Sequence, residues 1–232
     1  MSRRFSAEDL KWIAMTAMAV DHGAVCLLDH SGLWERYEIL GGVYVAMRFF
    51  GRLAFPLFSF LLVQGFLYTK NWRRYLFRVA VLAAVSEIPF DLVMSGQVFH
   101  PGTQSSLVLF VIALLCMKAM ENRGIAENGV IALAGCAAAY ALRADYGAQG
   151  MLFILTLYWF RGNPSMRMLA GCAALAAVYF DFFAAAACYS FFFINRYTGE
   201  RGRNLGYLPY FFYPAHLILL YIAGVWIHGI YF

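Results

Sequence analysis

The sequence predicts an all-α fold: a polytopic transmembrane helix bundle of about nine spans, with the amino end cytoplasmic and the carboxyl end outside. Three observations predict it. Apolar residues make up 62% of the 232-residue chain and charged residues only 13%, with a mean hydropathy of +0.64. A soluble domain carries about 25% charge and about 45–50% apolar residues. Apolar runs recur at roughly the 20-residue length that a bilayer crossing needs, separated by short polar loops. Lys and Arg gather in one set of those loops, as they do on the cytoplasmic face of membrane proteins.

The first span runs over 10–28 and ends at the polar stretch 29–38, DHSGLWERYE. It has a basic flank but no clear small-residue cleavage site, so it reads as a retained helix. Residues 39–69 are too long for one simple crossing. Gly41, Gly42 and Pro56 suggest a break, giving an interfacial helix over 43–50 and a second span over 51–68. A basic loop, 70–74, leads into span three over 75–94. Spans four, five and six follow over 105–120, 128–142 and 148–160. Arg161, Arg167, Arg196, Arg201 and Arg203 flank 166–194 on both sides, which calls for an even number of crossings. Two short spans with Asp181 at the tip satisfy that. The last span covers 208–231.

This topology puts Arg3, Arg4, Lys11, Lys70, Arg73, Arg74, Arg78, Lys118, Arg123, Arg161, Arg167, Arg196, Arg201 and Arg203 inside. Arg36, Arg48, Arg52 and Arg143 fall in the outer half. The whole chain, 1–232, reads as a single membrane domain. The net charge of +5 is a topology signal and not a nucleic-acid one. The five cysteines all fall in apolar runs and suggest buried thiols. No metal-ligand spacing, Walker loop or GxSxG is present.

Ionisable residues inside apolar runs are costly and mark function. His22, with Asp21 beside it, lies eleven residues beyond Lys11, roughly 16 Å along the helix at 1.5 Å per residue. The segment SEIPFD places Glu87 and Asp91 four apart on one helical face. Arg52 enters from the outer side, and His216 sits near the middle of the last span in FFYPAH. All six reach similar depth, and Arg52 is the cation able to neutralise the acids. Each also has a structural use. Asp21 can hydrate a helix end, His22 can bond between helices, and Arg52 can clasp an acid. His216 can bond a carbonyl freed by Pro214. On the cytoplasmic face Lys11, Arg73, Arg74, Arg78, Arg201 and Arg203 either follow the positive-inside rule or form a mouth for an anionic cofactor.

The segments LKWIAMTAMAVDH (10–22), GRLAFPLFSFLLVQGF (51–66), YLFRVAVLAAVSEIPFDL (75–92), DYGAQG (145–150), TGERG (198–202) and YFFYPAHLILLY (210–221) resemble the TraX family of bacterial membrane proteins. The resemblance implies an acetyltransferase of the pilin amino terminus, in the bacterial inner membrane. It further suggests kinship with membrane acyltransferases that carry an Arg-x10-His spacing on the first helix. Lys11 and His22 match that spacing with Lys for Arg, a point charge in place of a fork.

On this reading acetyl-CoA is the co-substrate and no metal is needed. Lys11, Arg73, Arg74, Arg78, Arg201 and Arg203 would hold its phosphates, and His22 would be the general base. Glu87 or Asp91 would orient His22, with Arg52 holding the acid. Asp21 and His216 complete the candidate set. The acceptor would be a pilin-like protein amino terminus or a glycan hydroxyl. Partners would be acetyl-CoA, that acceptor and the lipid bilayer, with no nucleic acid. No oligomeric state follows. A proton-coupled carrier or a noncatalytic scaffold would use the same buried groups.

Overall fold

The computed structural model describes residues 4–228, so Arg3 and the end of the last expected span, 229–231, lie outside the described residues. Among the described residues the chain is helical, with no β-strand beyond two isolated bridges, Phe5 with Tyr197 and Gln104 with Ala144. The helices in order are α1 (Ala7–Ala24), α2 (Leu33–Arg36), α3 (Glu38–Gly51), α4 (Ala54–Tyr68), α5 (Trp72–Ser95), α6 (Ser106–Met120), α7 (Ile125–Ala141), α8 (Gly147–Trp159), α9 (Pro164–Tyr179), α10 (Phe183–Ile194) and α11 (Leu208–His228). Three stretches are long and apolar enough to cross a membrane: Ala7–Asp29, Glu38–Tyr68 and Leu208–Ile227. Ser106–Met120, Ile125–Ala141 and Phe183–Ile194 are shorter apolar helices.

Several boundaries differ from the sequence expectation. The break in 39–69 falls at Arg52–Leu53, after a single helix Glu38–Gly51. Gly41 and Gly42 lie inside α3, where helical hydrogen bonds hold them. Pro56 sits in the first turn of α4, where its missing N–H is not needed. The stretch 29–38 contains the four-residue helix α2. Arg73 and Arg74, expected in a loop, belong to the first turn of α5, because the Asn71 side chain accepts from the Arg74 N–H at 3.0 Å and caps the helix earlier. Residues 164–194 do form two helices. Phe180, in the left-handed region at φ +50, ends α9, and the Asp181 carboxylate accepts from the Phe183 N–H at 2.9 Å to begin α10.

The chain packs as two compact units, Met1–Phe58 with Ser86–His100 and Ala185–Phe232, and Ser59–Val85 with Pro101–Ala184. In the second, α6, α7, α8 and α9 pack in sequence around Leu109, Met117, Met151, Phe153 and Ile154, all fully buried. In the first, α1 packs on α3 and α11. The buried residues of α1, Leu10, Ala14, Met15, Ala17 and Met18, recur at helical spacing and form its inward face.

Both ends of α1 are fixed. Ser6 and Asp9 form a reciprocal capping box. Beyond it, the Ala7 and Glu8 N–H groups donate to the Glu200 and Arg201 carbonyls at 2.9 and 3.1 Å. Phe5 N–H donates to the Arg196 carbonyl, and Thr198 N–H to that of Phe5. The 196–202 loop therefore clasps the start of the helix. Gly202 is left-handed at φ +80 and so close to Ser6 that a Cβ would collide with its hydroxyl. At the far end α1 widens into one π-type turn, Val25–Asp29. Just before it, Asp21 pairs with Arg48 of α3 at 2.7 Å, both side chains mostly buried. Gly51 makes this approach possible, since any Cβ there would strike the Asp21 carboxylate.

Two outcomes follow. Gly202→Ala must adopt a strained backbone and displace Ser6. We expect it to cost about 1–3 kcal/mol, read as a lower unfolding temperature in mild detergent; wild-type stability would exclude the clasp. Arg48→Met leaves Asp21 buried without its bonded cation and should cost about 3–5 kcal/mol. Adding Asp21→Leu should restore most of that loss, and a double variant as unstable as the single one would show that the pair is not the source.

Candidate functional site

His22 lies on α1 three helical turns beyond Lys11, so both fall on nearly the same stripe of the helix. Its Nδ1 is 2.8 Å from Nε2 of His216 on α11. The two rings are nearly coplanar in orientation, 9° apart, with centroids at 5.1 Å. His216 is buried, stacked on Phe212 and edged by Tyr213. Its Nδ1 lies 2.8 Å from the Phe212 carbonyl oxygen.

These contacts set the direction of a hydrogen-bond chain. A carbonyl only accepts, so His216 Nδ1 must donate to Phe212. With both rings neutral, His216 Nε2 then carries a lone pair and accepts, and His22 Nδ1 donates to it. The proton of His22 is thereby held on Nδ1, and its Nε2 is left with the basic lone pair. Among the described residues no hydrogen-bond partner occupies that Nε2. The carbonyl used is that of Phe212 and not that of Tyr210, which Pro214 deprives of its helical donor. His216 is therefore not answering the proline, as one structural use had it.

The remaining candidates are placed differently from the sequence reading. The group on His22 Nδ1 is an imidazole and not an acid of SEIPFD. Asp91 is 2% exposed, and its Oδ2 accepts from the His100 N–H at 2.7 Å, tying down the 96–100 turn. Glu87, one turn earlier on α5, is half-buried. Asp21 takes Arg48 as its bonded cation, while the charge of Arg52 also acts on it. Arg52, expected to hold Glu87 or Asp91, stands one turn beyond Arg48, for which no partner was expected. Asp21 and His22 point about 100° apart, as neighbours on a helix must.

Of the six cations proposed for phosphates, the first unit brings Lys11 and Arg201 together on one carboxylate. Glu8, which the sequence reading passed over, is buried and sits 3.1 Å from Lys11 Nζ and 3.7 Å from Arg201 Nε. The signal for it was present, since Glu8 and Lys11 are three apart. Arg203 is exposed on the same loop. Arg73, Arg74 and Arg78 are exposed residues of the second unit. The amino terminus of α1 does not add a dipole site for an anion, because its first N–H groups already donate to the 196–202 loop. Among the described residues no group of three His, Cys, Asp or Glu side chains is arranged to hold a metal.

Comparison with known proteins agrees with the motifs quoted above. A family model described as TraX protein matches residues 6–223, a span that contains His22, the SEIPFD acids and His216. A protein of Dichelobacter nodosus named "Probable fimbrial assembly protein FimC, serogroup H1" is 31% identical over 253 residues, covering 98% of this chain and 100% of that protein. No solved structure matches. Since the family match covers nearly the whole chain and reaches both imidazoles, the protein belongs to the TraX family.

Proposed function

We propose that this protein is a multi-pass acetyltransferase of the bacterial inner membrane. It would move the acetyl group of cytoplasmic acetyl-CoA to an acceptor amine or hydroxyl, for which a pilin amino terminus is the leading candidate. Family membership and the fimbrial-assembly name of the relative support the biological setting. The observation that carries the chemistry is the chain from His22 through His216 to the Phe212 carbonyl.

In the proposed reaction His22 Nε2 removes the proton of the acceptor as its nitrogen or oxygen attacks the thioester carbonyl. The new bond to the acetyl carbon forms and the carbon–sulfur bond breaks. Coenzyme A leaves as a thiolate and takes up the proton from His22. His216 is a positioning residue. It fixes the tautomer of His22 and accepts from the imidazolium while that charge exists, the task an acid performs in a hydrolase triad. Positioned proton transfer supplies about 10²–10⁴-fold. Orientation of the thioester supplies much of the remainder. Lys11 marks the cytoplasmic end of the same helix, roughly 16 Å from His22. The nine-span arrangement, amino end inside and carboxyl end outside, belongs to this proposal.

The test is acetyl transfer by purified protein from labelled acetyl-CoA to a peptide with a free amino terminus. His22→Ala should lower kcat at least roughly 100-fold in a folded, inserted protein. Undiminished turnover would remove His22 from the reaction. Uptake of a small molecule into vesicles without any acetylated product would favour a carrier. His216→Phe keeps the stack on Phe212 and loses the acceptor. It should lower kcat about tenfold or more with KM for acetyl-CoA unchanged, and His216→Gln, whose amide can still accept, should recover part. A change confined to KM would contradict the positioning role.

A further inference from the structure

The second unit holds a cavity in which charge, aromatic surface and an idle acceptor converge. It lies between the turn from α6 to α7 and the last turn of α8, with a volume of about 500 Å³. Small-molecule sites run from about 300 to 1,000 Å³. The groups of interest in its wall are Glu121, Arg123, Asn128, Tyr158, Trp159 and Arg161.

Arg161 is pre-placed. Its guanidinium stands 4.5 Å from the Tyr158 ring centroid, and Nη1 donates to the Tyr158 carbonyl at 2.9 Å. That uses one of its five N–H groups and leaves a flat, oriented fork. The nearby acids are already engaged, Glu121 by Lys118 and Glu127 by Arg123 at 3.6 Å. Asn128 donates to the Arg123 carbonyl at 3.4 Å, while its Oδ1 is buried and accepts nothing. A buried acceptor left idle costs the full desolvation of the group, and a ligand N–H would recover it.

Each feature selects a part of a ligand. Guanidinium forks bind phosphate bidentately. The indole of Trp159, 43% exposed at the rim, offers a face for a planar ring. An idle amide oxygen calls for a donor on the edge of that ring, such as an exocyclic amino group. We propose that this cavity binds an adenine nucleotide, with phosphate on Arg161 and Arg123 and the amino edge toward Asn128.

The experiment is calorimetric titration of the full chain, in nanodiscs of zwitterionic lipid, with adenosine 3′,5′-bisphosphate and separately with inorganic phosphate. The expected result is saturable nucleotide binding, weakened about tenfold by Arg161→Gln and again by Asn128→Leu, less by Arg161→Lys, and unchanged by His22→Ala. Absent binding would overturn the proposal, as would equal affinity in Arg161→Gln and Asn128→Leu proteins whose unfolding matches wild type. Phosphate, or an anionic lipid headgroup added to the nanodisc, binding as tightly as the nucleotide would also overturn it. Failure of the two readings is separable. Arg161-dependent nucleotide binding without acetyl transfer supports the cavity and sinks the enzyme. Acetyl transfer by a chain that binds no adenosine 3′,5′-bisphosphate sinks the cavity alone.

Discussion

The Phe212 carbonyl can only accept a hydrogen bond, and that one fact orders the centre of the first unit. It fixes the proton of His216, hence the lone pair of His216 Nε2, hence the proton of His22 on Nδ1. The chain requires α1 and α11 to meet with both imidazoles level. The packing of α1 on α11, the stack of His216 on Phe212 and the clasp of the 196–202 loop on the start of α1 all serve that meeting. A basic nitrogen without a hydrogen-bond partner among the described residues is the result, held in one tautomer without an acid beside it.

The other charges on α1 are kept in separate pairings. Asp21 is drawn to Arg48 by the close approach that Gly51 allows, on a different face of the helix from His22. Glu8 gathers Lys11 and Arg201 at the amino end. Buried charges must be paired, and here the pairing also keeps carboxylates away from the imidazoles. An acid bonded to His22 Nδ1 would hold the same tautomer but add a full negative charge. His216 supplies the orientation with a neutral group.

The all-α class was legible in the sequence because the long apolar runs leave few other options, and three stretches, against about nine expected spans, are long and apolar enough to cross a membrane. The division of 164–194 into two helices at Phe180–Asp181 was legible because the arginines on either side asked for an even number of segments. The break in 39–69 was placed within about two residues of Arg52–Leu53, but its cause was not legible, because Gly41 and Gly42 remain helical and Pro56 in a first turn stops nothing. His22 and His216 were legible as polar groups in apolar chain, but their partnership was not. A span gives depth from its ends, yet the facing of two helices 194 residues apart in sequence depends on packing. The pairing of Asp21 with Arg48 was not read for a related reason: it depends on the close approach of α3 to α1 that Gly51 allows.

The role of His22 as a base depends on which ring nitrogen carries its proton. Nitrogen-15 NMR of histidine-labelled protein in nanodiscs reads it directly, with His216→Phe used to assign the two rings. Neutral His22 should carry its proton on Nδ1, and its Nε2 should show the shift of an unprotonated ring nitrogen. A His22 protonated on Nε2 at neutral pH would contradict that role.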